Sequence, residues 1–180
     1  AFTAIIAFVF LSSIVGFSYS TLSLHTGTTT TDTIEYQGIE FVPTQLGIGA
    51  IIDNQAMEFY YLPEDLENTD VSLLTTTLTQ ATSVYVTSDI NSTFASPISG
   101  LQFEMAHFLD SRHNVFIDTG FTTANEFDLP VITCADATSF VPVVYFNFTN
   151  TTSSITENNN CITVNFGSQT SFDKHRDKII

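Results

Sequence analysis

The sequence predicts an α+β protein, with a long N-terminal hydrophobic α-helix followed by an antiparallel, immunoglobulin-like β-sandwich. Three observations carry that expectation. Residues 1–24 read AFTAIIAFVFLSSIVGFSYSTLSL and hold no charged side chain. From Ile34 onward, short segments rich in Val, Ile, Phe, Tyr and Thr alternate with turn residues, which is a strand signature. Long helical periodicity is absent after the first stretch, and many short strands at such spacing suggest a sandwich or barrel.

The N-terminal stretch comes first. A run of 18 or more apolar residues without charge is a membrane-span candidate. As a helix, these residues would extend about 36 Å at about 1.5 Å per residue. Small residues recur along it (Ala4, Ala7, Ser12, Ser13, Gly16, Ser20). Small residues let helices approach closely in an apolar medium, so the stretch suits packing against copies of itself as well as lipid. No basic segment precedes the apolar run, unlike a secretory signal peptide. A cut on its N-terminal side is therefore expected, with an imposed sequence boundary as the alternative.

Residues 26–33 are Thr-rich and follow His25. Consecutive β-branched residues disfavour a helix, and Gly27 can end one. The expected organisation is a hydrophobic helix over 1–25, a linker over 26–33 and an extracellular domain over 34–180. Candidate strands in the domain are 34–42, 47–52, 57–62, 71–76, 83–86, 101–109, 114–117, 131–134, 141–148 and 161–166. Helical spacing fits 101–109 nearly as well. The tail over 171–180 reads as a final strand or short helix, or as a basic contact with the acidic surface of a neighbouring subunit.

Acidic residues number 19 and basic residues 4, for a net charge of −15. Lys174, Arg176 and Lys178 lie in the tail, so Arg112 is the one fixed cation before it. Phosphate binding rests on Lys and Arg, so nucleic acid is excluded as a partner. The two cysteines, Cys134 and Cys161, suggest one disulfide in an extracellular protein. It would close a loop of roughly 27 residues, worth about 2–4 kcal/mol. Asn91, Asn147 and Asn150 each open an Asn-x-Ser/Thr sequon, a glycosylation pattern of secreted chains.

No constellation for catalysis is legible. His25, His107, His113 and His175 have no metal-site spacing, and no Cys-x-x-Cys occurs. Asp110-Ser111-Arg112-His113 holds triad residue types, but triad members converge from different elements, so this reads as a polar turn between strands. Glu64, Asp65, Glu67 and Asp70 form the densest acidic run. They read as a solvated loop, with a Ca²⁺ site as the weaker alternative, because the spacing is not that of an EF-hand. Asp110, Asp118, Glu126, Asp128 and Asp136 would form a second acidic group only if the fold gathered them. No enzyme and no cofactor is therefore expected. Most of the 17 Phe and 6 Tyr are expected in the core or at contacts between copies.

The segments Ile6-Ala7-Phe8-Val9-Phe10-Leu11 and Gly16-Phe17-Ser18-Tyr19 resemble the N-terminal helix of archaeal type IV pilin-like proteins, meaning archaellins and archaeal adhesion pilins. Ile5 stands where bacterial type IV pilins usually carry Glu, and Ala1-Phe2-Thr3-Ala4 lacks the Gly-Ile pair frequent in archaellins. The resemblance implies a structural subunit of an extracellular filament, for adhesion or motility, that starts in the cytoplasmic membrane. Ile5, Ile6, Phe8, Val9, Phe10, Leu11, Ile14, Val15 and Phe17 would be buried between copies in a helical homopolymer. The alternatives are a single-span, membrane-anchored surface β-sandwich protein, such as an archaellum anchor subunit, or a strand-donating thread subunit.

Overall fold

The computed structural model of the chain describes residues 33–149 and 151–180. The expected hydrophobic helix over 1–25, with its nine polymerisation residues, and the linker up to residue 32 lie outside the described residues, as does Asn150. Residues from Thr33 to Ile180 form one compact unit. No helix among the described residues is long and apolar enough to cross a membrane.

The expected β-sandwich is overturned. The unit holds two sheets of different kinds and three helices. The first sheet is an antiparallel meander of β1 (Ile34–Tyr36), β2 (Ile39–Pro43), β3 (Ile48–Ile52) and β4 (Gln55–Phe59). The second has the order β6-β5-β7-β9-β8. It is built from β5 (Ser83–Ser88), β6 (Phe116–Phe121), β7 (Val143–Phe148), β8 (Ser154–Asn158) and β9 (Cys161–Phe166). Strands β5, β6, β7 and β9 run parallel, and only β8 is antiparallel to its neighbour. The helices are α1 (Ser72–Gln80), α2 (Ala95–His113) and α3 (Gln169–Ile179).

Local chemistry explains three of the four hairpins. Gln37-Gly38, Asp53-Asn54 and Asn159-Asn160 all have positive φ at both positions. That is the two-residue hairpin geometry whose twist matches the strands, and Asn, Asp and Gly tolerate it best. The first turn splits the expected 34–42 strand into β1 and β2. The last delivers Cys161 directly into β9.

The helices depend on packing. In α1, Thr75, Thr76, Thr77 and Thr79 are β-branched and poor helix formers. The hydroxyls of Thr75, Thr77 and Thr79 donate to carbonyls four residues back, which satisfies them without favouring the helix. Leu74 and Leu78, one turn apart, are fully buried. The expected strand 71–76 is thus a helix with one apolar stripe. In α2, Ile98, Leu101, Met105 and Leu109 make the same kind of stripe, so the expected strand 101–109 is a helix as well. Asp110-Ser111-Arg112-His113, expected as a turn between strands, is its last turn. Asn114 then caps the helix in the left-handed region.

These stripes meet Val84, Val86, Val144, Phe146, Ile162, Val164 and Phe166 in the main core, joined by Phe172 of α3. All three helices therefore cover one face of the parallel sheet. The meander has a smaller core of Phe41, Ala50 and Phe59, with Ile180 packed against it.

Two arginines tie the meander to the rest. Arg176 of α3 bonds both carboxylate oxygens of Glu104 on α2, at 2.9 and 2.7 Å. Its Nη1 donates to the Glu58 carbonyl of β4 at 2.8 Å and to Asp177 Oδ1 at 2.7 Å. The other Asp177 oxygen accepts the backbone N–H groups of Tyr60 and Tyr61, at 2.6 and 2.9 Å. Arg112 ends α2 by pairing with Asp53 at 3.2 Å and donating to the Ile52 carbonyl at 3.1 Å, across the β3–β4 turn. Lys174 donates to the Asp65 carbonyl. Three of the four cations thus act inside the chain. The tail is thus a short helix, one of the two forms expected for it, with Lys174 and Arg176 bonded within the chain; Lys178 alone of the tail cations is exposed.

Arg176→Ala is expected to cost about 3–5 kcal/mol, because it strands the buried Asp177 carboxylate without its cation. Lys178→Ala is expected to stay within about 0.5 kcal/mol. Urea unfolding of both variants measures the difference.

Candidate functional site at the carboxyl ends of the parallel strands

In open α/β sheets, ligands bind outside the carboxyl ends of the strands, where the strand order reverses. Here that point lies between β5 and β7. The chain leaves β5 through α2 to reach β6 on one side, and returns to β7 on the other. The residues there are Ser88 at the end of β5, Asp89 after it, the residues leading into α2, and Tyr145 to Phe148 at the end of β7.

On the helix side this crevice is filled by aromatic rings. Phe94, at the start of α2, stacks on Phe148 with centroids 3.8 Å apart and planes 8° apart. Phe172 meets Phe94 edge-on, and Phe166 continues the cluster. Ser88, on the same side as Val84 and Val86, is fully buried, and its Oγ has no hydrogen-bond partner among the described residues.

The opposite face is covered differently. No helix lies on it among the described residues. The connection over 122–142 crosses it as a strap. Ile132 packs on Val143 and Cys161, with Tyr85 and Tyr145 beside them. The buried Thr87 hydroxyl donates to the Ile132 carbonyl at 2.8 Å, and the Ile132 N–H donates to the Phe121 carbonyl at 2.9 Å. Gly120 permits this close passage, since a Cβ there would collide with the Pro130 carbonyl and the Ile132 side chain. The expected strand 131–134 reduces to a single bridge between Phe121 and Val131.

A disulfide fixes the strap. Cys134 pairs with Cys161, with Cα atoms 5.2 Å apart, inside the range that such a bond spans. Asp136 prepares the geometry. Its carboxylate accepts the Thr133 N–H at 2.7 Å and the Thr133 hydroxyl at 3.0 Å, while Thr133 Oγ1 accepts the Ala135 N–H. This reciprocal cap shapes the short 3-10 turn Cys134–Asp136. The two Thr133 bonds, backbone first, hold the Asp136 carboxyl below the ordinary aspartate range.

Beyond the strap, the face carries a row of polar side chains. The Tyr145 hydroxyl donates to Asn147 Oδ1 at 3.4 Å, Asn147 Nδ2 donates to Asn165 Oδ1 at 2.9 Å, and Asn165 Nδ2 donates to Ser154 Oγ at 3.1 Å. The row crosses β7, β9 and β8 in register. Burial first, and the nearby Asp89 carboxylate second, push the Tyr145 hydroxyl upward, so it stays protonated as a donor at neutral pH. Amides, hydroxyls and one carboxylate can hold a neutral polar ligand or a cation. They do not make a nucleophile and base pair.

The sequence-predicted residues are distributed as follows. Asn91 is exposed in the turn between β5 and α2, where its N–H donates to Asp89 Oδ1. Asn147 lies in β7 and uses its amide within the polar row. Glu64 and Asp65 lie on the short 3-10 turn Pro63–Leu66, while Asp70 accepts both the N–H and the hydroxyl of Ser72 at the start of α1. No group of three or more His, Cys, Asp or Glu residues is placed to hold a metal ion among the described residues, either at this run or among Asp110, Asp118, Glu126, Asp128 and Asp136. His175 is buried edge-on against Phe166, and its Nδ1–H donates to the Ser171 carbonyl at 2.7 Å. The row Tyr145–Asn147–Asn165 was missed by sequence reasoning. Its signal is the alternation of apolar and polar positions in β7 and β9, which marks a sheet face not sealed by a second apolar layer.

Comparison with known protein families, with curated proteins and with solved structures gives no match.

Replacing Cys134 and Cys161 together by Ser is expected to lower stability by about 2–4 kcal/mol and to open 122–142 to proteolysis before the rest of the unit. Limited proteolysis with mass mapping reads this out. The pH response has two signs. A carboxylate with a lowered folded-state pKa adds stability that is present above its unfolded value and lost as pH falls through the folded one. Asp136 is of this kind. Asp177 is pushed upward, by burial first, against the pull of Arg176 and the Tyr60 and Tyr61 N–H groups. Its contribution is largest at low pH and declines as pH rises through its folded value. Carboxyl NMR titration is expected to place Asp136 below, and Asp177 above, the ordinary aspartate value.

Proposed function

We propose that this chain is a non-enzymatic surface protein, whose α/β domain is held outside the cytoplasmic membrane by the apolar N-terminal stretch. The observation that carries this reading is the disulfide Cys134–Cys161, which fastens the strap across the open face of the sheet. Such bonds persist in oxidising compartments and are rare inside cells. A charge-free run of 24 residues ahead of a body with a net charge of −15 is the pattern of an anchor followed by a solvated domain. The exposed Asn91 sequon agrees with glycosylation outside the cell.

The filament reading stands second. It is favoured by the small residues Ala4, Ala7, Ser12, Ser13, Gly16 and Ser20, which suit helix-to-helix packing, and by the pilin-like resemblance of the same stretch. In that reading the chain is a homopolymer subunit for adhesion or motility. The described domain neither adds to nor subtracts from this reading, since the β-sandwich was expected from the strand pattern and not from the resemblance.

The test is expression of the full chain in an archaeal host, followed by fractionation. The expected result is a membrane-bound protein that resists carbonate extraction. In intact cells its domain is cut by external protease, and its thiols react with maleimide only after reduction. A soluble cytoplasmic protein with two free thiols would overturn the proposal. Uniform helical filaments in electron micrographs of the purified protein would replace the anchored arrangement with the polymeric one.

A further inference from the structure

We propose that the open edge of β4 is a docking site for an extended, cationic peptide segment of a partner, added as a fifth strand to the meander. The edge can be read from the hairpin. Asp53-Asn54 is a two-residue turn, so Ile52 and Gln55 close it as a hydrogen-bonded pair. Bonding then alternates along the strand. Gln55, Met57 and Phe59 turn their backbone groups toward β3, and Ala56 and Glu58 turn theirs away. One outward group is already used, since the Glu58 carbonyl accepts from Arg176 at 2.8 Å. The Ala56 N–H and C=O and the Glu58 N–H have no partner among the described residues.

A neighbouring cavity gives that edge a specific shape. A groove of about 510 Å³ runs between β4 and α2, lined by Gln55 to Glu58 on one side and by Phe103, His107 and Phe108 on the other. This volume lies within the range of ligand pockets. Phe103 is 75% exposed in the middle of a helix whose opposite stripe is fully buried, so its ring is available to a segment lying in the groove. Strand addition of this kind takes affinity from main-chain bonds and specificity from alternate side chains.

The charge selects the occupant. Of the charged side chains lining the groove, two are the carboxylates of Glu58 and Glu104 and one is the Arg176 guanidinium; the Glu58 carboxylate accepts the Thr44 hydroxyl at 3.0 Å, and Arg176 already serves Glu104, the buried Asp177 and the Glu58 carbonyl. The wall is therefore net acidic, on a chain with a net charge of −15. A strand alternating Lys or Arg with apolar residues complements it. A second copy of this chain does not, because edge-to-edge pairing of β4 would bring Glu58 and Glu104 of both copies together.

The probe is a blocked hexapeptide alternating Lys with Phe and Val, added to the full-length protein in neutral detergent, with empty micelles as blank. Saturable binding is expected, with slowed amide exchange at Ala56 and Glu58. Methylating alternate peptide nitrogens of the probe, or exchanging its Lys for Glu, is expected to weaken binding by roughly tenfold or more. Ala56→Pro removes an outward N–H, which an edge strand tolerates, and Phe103→Ser removes the exposed ring without touching the core. Each is expected to weaken binding by a similar factor while unfolding as the parent does. Absence of binding at about 1 mM peptide, equal binding of the Glu probe, binding indifferent to both variants, or a dimer that protects Ala56 without peptide would each overturn the proposal.

Discussion

The buried pair Arg176–Asp177 is the constraint on which the arrangement of this unit depends. The antiparallel meander has a core of only three buried residues and cannot bury much apolar area alone. It is held by α3, which reaches both sheets. Arg176 spans Glu104 of α2 and the Glu58 carbonyl of β4, and Asp177 closes on the backbone of Tyr60 and Tyr61. Every bond of this set joins parts of the chain that are distant in sequence or turns the tail inward. With so few cations in the chain, the placement of this arginine decides where the tail goes. Burying the two charges carries a desolvation cost, and the Coulomb and hydrogen-bond terms offset it only because the geometry is saturated. The pair specifies position more than it adds stability.

The one-sided helix layer follows from a second constraint. Parallel strands are usually covered on both faces. Here the helices α1, α2 and α3 take one face, and the second is left to an irregular strap. A strap has no helical hydrogen bonds of its own, so it is held by what it touches: Thr87, Ile132, the close passage over Gly120, the Asp136 cap and the disulfide. Beyond the strap the face stays polar, as a row of amides and hydroxyls in register. This division leaves the sheet with one side sealed by helices and one side partly polar and accessible beyond the strap.

Much of the local structure was legible in the residues. The strand Cys161–Phe166 and the β-prone run Val143–Phe148 stand out by composition, whereas the tight turns at Gln37-Gly38, Asp53-Asn54 and Asn159-Asn160 went unread. The cysteine pair was legible from its count. The sandwich was the wrong inference because alternation and β-propensity identify a strand without giving its direction. Because one face of β5 and β7 is left partly polar, their alternation reads as antiparallel, and the helices that mark a parallel sheet were masked, in Ser72–Gln80 by threonine. Ser72–Gln80 looks strand-like because Thr75, Thr76, Thr77 and Thr79 are β-branched, yet Leu74 and Leu78 decide the matter by their spacing. In Ala95–His113 the exposed Phe103 blurred a periodicity that Ile98, Leu101, Met105 and Leu109 keep.

By itself, then, the sequence determined composition-level properties: an apolar N-terminal run, an acidic body, a scarcity of cations and one cysteine pair. These depend on residue identity and nearest neighbours, so no fold is needed to read them. Tertiary structure alone decided which strands are parallel, that α1 and α2 are helices, that Arg176 turns inward to Glu104, and that Tyr145, Asn147 and Asn165 share one face. Those outcomes rest on contacts between residues far apart in the chain, where burial and charge pairing outweigh local preference.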